Sequence, residues 1–273
     1  MRGEFIEVGG DRLYYYAAGS RGRGDPMVLI HGFPTTSHVW GSLVSLLPAG
    51  HRIVVPDLLG FGRSDHGVAA DFGVVAHSAR IIGALDVLGI RKACLVGHQL
   101  GAVIAATIAV SAPERVAALA LLHPLGGDVT VTGTFAVLRA FLPLVRVAPP
   151  ALFRRAIRSE LASWFADPQR ARPSIDLYVA GLTRAPRWQA LLRQLGALDP
   201  RQMTAFTRSL AGVRCPVAIV AAHHDPAVPR VALDRIRDAL PNATLDMIPQ
   251  ARHFSPEESP EQVASIIERL LAR

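Results

Sequence analysis

The sequence predicts an α/β protein: a mostly parallel, eight-stranded sheet with helices on both faces and a helical cap inserted after the sixth strand. Three observations carry this. Short apolar runs alternate with helical patterns along residues 5–122 and again along 217–271, the order that builds parallel sheets. Between residues 125 and 209 the alternation stops, and helical segments punctuated by prolines take over. Histidine and glycine follow several of the apolar runs directly, where ligands bind in open α/β sheets.

Residues 5–8 and 13–17 read as two strands meeting at Gly9-Gly10-Asp11, a composition that permits a tight turn. Residues 27–30 form an unbroken apolar strand, as burial on both faces requires. Residues 37–47 have helical spacing. Residues 52–55 form a strand that Pro56 stops. Residues 71–88 form a long amphipathic helix, 93–96 a strand, 100–110 a helix of small residues, and 116–122 a strand. After the cap come a strand at 217–222, a helix at 230–240, a strand at 244–248 and a closing helix at 262–271. The predicted core is 1–124 with 210–273, and the cap is 125–209.

Half of the 273 residues are hydrophobic and 19% are charged, which excludes a disordered chain. Residues 1–23 open with charge and glycine rather than an apolar leader, so the expected location is the cytoplasm. The apolar stretch 95–113 is broken by Gly97, His98, Gln99 and Gly101, which fits a buried strand–turn–helix better than a membrane span. Cys94 and Cys215 are too few for a disulfide framework. The net charge is +7, yet 28 of the 29 basic residues are arginine and basic runs with interleaved aromatics are missing outside the cap. That excludes a nucleic-acid surface. The expected partners are a small-molecule substrate, no nucleic acid and no membrane, with a homodimer left open.

The candidate site lies at the strand ends. His31-Gly32-Phe33-Pro34 follows residue 30, Gly97-His98-Gln99-Leu100-Gly101 follows residue 96, and His123 follows residue 122. His223-His224-Asp225-Pro226 follows residue 222, and Pro249-Gln250-Ala251-Arg252-His253-Phe254 follows residue 248. With the loop 57–65, these motifs resemble, in type and order, the α/β-hydrolase fold superfamily, in its capped branch of esterases, C–C hydrolases and epoxide hydrolases. The resemblance covers about residues 4–271. It implies Asp225 as the triad acid, His253 as the base, and the backbone N–H groups of Phe33 and Leu100 as the oxyanion hole.

One departure dominates. Gln99 stands where the family has Ser, Asp or Cys. A carboxamide oxygen is a very poor nucleophile and offers no proton that His253 could usefully remove, so covalent catalysis is not available there. Arg252 stands where the family usually has glycine, and its solvent-facing orientation is expected. His123 is expected to contact substrate or relay a proton. Trp164, Phe165 and Tyr178 of the cap are expected to line an apolar pocket over Gln99. No metal is expected, since the histidine spacings match no metal motif, and no cofactor. The cap carries twelve arginines against five acids, an excess equal to the net charge of the whole chain.

The leading functional expectation is an enzyme acting on a small, largely apolar, aromatic or polycyclic substrate by non-covalent acid–base chemistry. His253 and Asp225 supply the proton transfer, and Gln99 orients substrate or water. The alternatives are an ester or epoxide hydrolase whose nucleophile has been replaced by Gln99, and a catalytically inert ligand-binding homologue.

Overall fold

The computed structural model describes residues 3–20, 22, 24–67, 69–126 and 131–273. Residues 127–130, at the start of the predicted cap, lie outside the described residues. The eight strands are β1 (Gly3–Val8), β2 (Asp11–Gly19), β3 (Met27–Ile30), β4 (Arg52–Pro56), β5 (Ala93–His98), β6 (Val116–Leu122), β7 (Val217–Ala221) and β8 (Thr244–Met247). Their order in the sheet is β1-β2-β4-β3-β5-β6-β7-β8. β2 runs antiparallel to both β1 and β4, and every other pairing is parallel.

β3, β5 and β7 are buried along their whole length, because helices cover both faces of the parallel part. The helix Leu100–Ser111 is apolar nearly all round and lies against β5 and β6, as a fully buried helix must. The closing helix Pro260–Leu271 buries Val263, Ile266, Ile267 and Leu270, the i, i+3, i+4, i+7 stripe of an amphipathic helix. The segment 37–47 differs from its expectation. It is a 3-10 turn, Ser37–Trp40, followed by one helical turn, Gly41–Val44. Helices Gly133–Ala140, Leu142–Val145, Arg154–Ser163, Arg172–Leu182, Ala185–Ala197 and Pro200–Ser209 fill the chain between β6 and β7. No helix of the described residues is long and apolar enough to cross a membrane.

The central strands β3, β5, β6 and β7 end side by side. Their following loops therefore meet above one edge of the sheet, and the candidate site is built there.

Candidate active site

β5 ends at His98, and the chain turns through Gln99 into the helix Leu100–Ser111. The turn is crowded. A Cβ on Gly97 would strike the Gly101 carbonyl and the Ala102 backbone, and one on Gly101 would strike the Ile30 carbonyl. Gln99 itself has φ +50° and ψ −107°, a region that costs a non-glycine residue about 1–3 kcal/mol. His123, at the end of β6, is also in the left-handed half with φ +48°. These are the only two non-glycine residues with positive φ among the described residues, and both stand at strand ends facing the site.

The side chain of Gln99 is 2% exposed. Its Oε1 accepts hydrogen bonds from the backbone N–H of Phe33 and of Leu100, each at 2.9 Å. The two N–H groups expected to form the oxyanion hole do converge on one point. That point is occupied by the glutamine's own carbonyl oxygen, which corrects the expectation that the pair faces a substrate oxyanion. Two donors at 2.9 Å satisfy a neutral acceptor well.

Asp225 sits on the loop after β7 and is shared. One carboxylate oxygen accepts from His253 Nδ1 at 2.9 Å and from His123 Nδ1 at 2.7 Å. The other accepts from the backbone N–H of Ala227 and Val228 at 2.8 and 3.1 Å. His123 passes on to a second partner: its Nε2 meets the Ser255 hydroxyl at 2.9 Å. Both ring nitrogens of His123 are thus engaged, Nδ1 by the Asp225 carboxylate and Nε2 by the Ser255 hydroxyl. Burial lowers His123 below the ordinary histidine value, and the Asp225 carboxylate opposes that only in part. Burial pushes the Asp225 carboxyl upward, but the His253 and His123 charges and N–H donors outweigh it and hold the group well below the usual carboxylate range.

His253 is fully buried, and among the described residues its Nε2 has no hydrogen-bond partner. The ring is thus oriented through Nδ1 and leaves one nitrogen free for proton transfer, as a general base requires. His98 donates its Nε2–H to the His253 carbonyl at 2.9 Å, tying the base to the turn after β5. Burial keeps His98 well below the ordinary histidine value, with the His253 and His123 charges adding to the effect, so it serves as a neutral strut. His31 plays a similar part in the neighbouring loop, accepting from the Leu58 N–H at 2.9 Å. His123, Asp225 and His253 are close enough together to hold a metal ion. The carboxylate there is already engaged by four N–H donors, however, and the hydrogen-bonded pair accounts for the geometry without a metal.

Aromatic rings close the site. Trp164 meets His253 edge-on with centroids 5.0 Å apart, and Phe135 bridges Trp164 and Phe33 at 5.7 and 5.0 Å. Phe165 and Tyr178 stack on Phe254 at 4.3 and 6.1 Å. Of the three cap residues expected over Gln99, Trp164 therefore faces the base, while Phe165 and Tyr178 face the residue after it. A cleft of about 730 Å³ lies beside this wall. It is lined by Pro34, Phe61 and Tyr178, with Arg63, Arg184 and Arg187 at its rim. Pro34 is one residue from the Phe33 N–H that holds Gln99. His123 and Asp225 line a separate cavity of about 250 Å³ with His223 and His224. The Arg252 guanidinium points away from His253, donating to the Ser163 carbonyl at 2.8 Å.

Sequence reasoning missed Ser255, Glu257 and Glu258. Glu258 accepts from the backbone N–H of Arg252 and Phe254, on either side of the base. Glu257 accepts from the Tyr178 hydroxyl at 2.7 Å, linking core to cap. The one sequence signal was the acidic pair itself, three residues beyond Phe254.

Two predictions arise here. Burial pushes the Glu257 carboxyl up to about 7, against the opposing Ser174 and Tyr178 hydrogen bonds. Its folded value lies above its unfolded value, so its contribution to stability is full below about pH 4.5 and is lost as pH rises through about 7. Glu257→Gln keeps the acceptor for Tyr178 and removes the ionisation. Chemical denaturation should show the variant more stable by about 3 kcal/mol at pH 8 and equal to the parent near pH 4.5. Equal stability at pH 8 would refute the buried ionisation. Phe254 is fully buried and packs on His98, Trp164, Phe165, Tyr178 and His253. Phe254→Ala should lower unfolding stability by about 3–5 kcal/mol, and a loss under about 1 kcal/mol would deny the cluster its role in joining cap to core.

A family model described as alpha/beta hydrolase fold matches residues 25–260. The dihydrolipoyllysine-residue acetyltransferase component of an acetoin cleaving system from Pseudomonas putida is 29% identical over 260 residues. That match covers 94% of this chain and 66% of the other protein. The 2-hydroxymuconate semialdehyde hydrolase of Pseudomonas putida is 26% identical over 259 residues, covering 92% of this chain and 89% of the hydrolase. The crystal structure of wild-type Cfl2 from Burkholderia cenocepacia aligns with a TM-score of 0.82 at 26% identity, over 98% of this chain and 95% of that one. Fold, strand-end motifs and comparisons agree: the chain belongs to the α/β-hydrolase fold family, with a helical insertion between its sixth and seventh strands.

Proposed function

We propose that this protein is an α/β-hydrolase-fold enzyme that works without a covalent intermediate on a small, largely apolar, aromatic substrate. His253, oriented by Asp225, transfers the proton. Gln99 acts through its amide nitrogen. Its carbonyl is held by two N–H groups, which fixes the carboxamide and polarises its N–H bonds toward an acceptor. The donor role of the oxyanion hole is in this way moved outward by one side chain. A substrate enolate, alkoxide or phenolate then receives its hydrogen bond from Gln99 Nε2. The observation that carries the reading is the pairing of a filled oxyanion cradle with an intact Asp225–His253 pair whose Nε2 is unengaged. The aromatic wall of Phe33, Phe135 and Trp164 supports the substrate class.

Reaction types that fit are proton abstraction beside a carbonyl, elimination, ring formation and rearrangement. The relation to hydrolases keeps water addition among them. A panel of aryl β-diketones, phenolic lactones and aryl epoxides samples these chemistries. The expected result is turnover of at least one class, lost in His253→Ala. Ligand binding without turnover across the panel would favour the inert homologue, a reading to which the near-complete burial of Gln99 and His253 lends weight.

A further inference from the structure

The cap carries a second surface that the site does not use. Residues 131–159 contain five arginines and no acidic residue. Within them Val137, Phe141 and Leu144 are all more than half exposed and lie at i, i+4 and i+7, one face of the helical pair Gly133–Ala140 and Leu142–Val145. The opposite face turns Phe135, Leu138 and Val145 into the core. Val147 and Leu152 extend the exposed strip at 84% and 70%. Beside it runs a groove of about 440 Å³ walled by apolar side chains. Contiguous exposed apolar surface of this kind marks an interaction site rather than chance.

Charge decides the occupant. Arg146, Arg154 and Arg155 are exposed on the same segment; Arg158 pairs with Asp176, whose carboxylate also feels the charge of Arg154. A second copy would bring the same arginines face to face and repel. An apolar strip framed by exposed arginines instead complements a surface that is apolar beneath and anionic on top. We propose that this face of the cap docks on an anionic lipid surface, with Phe141, Leu144 and Val147 entering the acyl boundary and the arginines meeting headgroups. This departs from the expectation of no membrane partner, which weighed spanning segments and basic runs. A chain holding an apolar substrate would meet it where such compounds concentrate.

The test is co-sedimentation with large unilamellar vesicles of phosphatidylcholine alone or with 30% phosphatidylglycerol. The parent should bind the anionic vesicles and not the neutral ones, and binding should fall as salt rises. Phe141→Ser with Leu144→Ser should weaken binding at least tenfold with the circular dichroism spectrum unchanged, since both side chains are exposed. Each arginine replaced among Arg146, Arg154 and Arg155 should weaken it by about fivefold. Failure to sediment with anionic vesicles at low salt overturns the proposal. So does binding indifferent to the double serine variant, which would assign it to charge alone. A dimer in solution that the double variant dissolves would assign the face to a second copy and overturn it as well.

Discussion

Gln99→Ser is expected to turn a protein inert toward p-nitrophenyl acetate into an esterase with burst kinetics, at least about 100-fold faster than the parent. Two changes produce the gain. The substitution supplies a hydroxyl at the sharp turn after β5, the place from which the family's nucleophiles act. It also removes Oε1 from the Phe33 and Leu100 N–H groups, so the cradle becomes free for a tetrahedral oxyanion. One such donor is worth about 10²–10³ in rate. The base needs no repair, because Asp225 already orients His253. Gln99→Ala frees the cradle without adding a nucleophile and should stay near the parent's level on this ester. Equal inactivity of Gln99→Ser and the parent would show that Asp225 and His253 are not a working pair.

The second large effect is at the base. His253→Ala should lower turnover of any panel compound that the parent accepts by about 10²–10⁴-fold, the usual contribution of a positioned proton-transfer group. In the Gln99→Ser background it should remove the esterase burst as well. Asp225→Asn should act in the same direction. An Asn amide cannot accept two Nδ1–H bonds and two backbone N–H bonds in the arrangement that the carboxylate accepts them. A His253→Ala variant with unchanged turnover would place the chemistry outside this site.

The strand ends were legible in the sequence because each is a local pattern. The runs 27–30, 93–96, 116–122, 217–222 and 244–248 read as strands, and His31, Gln99, His123, Asp225 and His253 follow from where those runs stop. Contacts between distant segments were not legible. The filling of the cradle depends on a backbone N–H 66 residues from Gln99. The sharing of Asp225 by two histidines depends on a pair 102 residues apart. The motif names Phe33 and Leu100 as donors, but only the length of the glutamine side chain makes its own oxygen their acceptor, two bonds further from Cα than a serine oxygen. Residues 37–47 misled for a different reason. Their helical spacing is real, but Gly41 divides the segment and a 3-10 turn capped by Thr36 takes its first half.

The most direct test of non-covalent catalysis compares the parent with Gln99→Ser on one panel compound that the parent turns over. Intact-protein mass spectrometry follows the same reactions. The serine variant is expected to be no faster than the parent on that compound, and the parent to carry no covalent adduct at any point of turnover. A gain of orders of magnitude on introducing serine, with an acyl adduct accumulating on the variant, would contradict non-covalent catalysis and identify the protein as a hydrolase that lacks only its nucleophile.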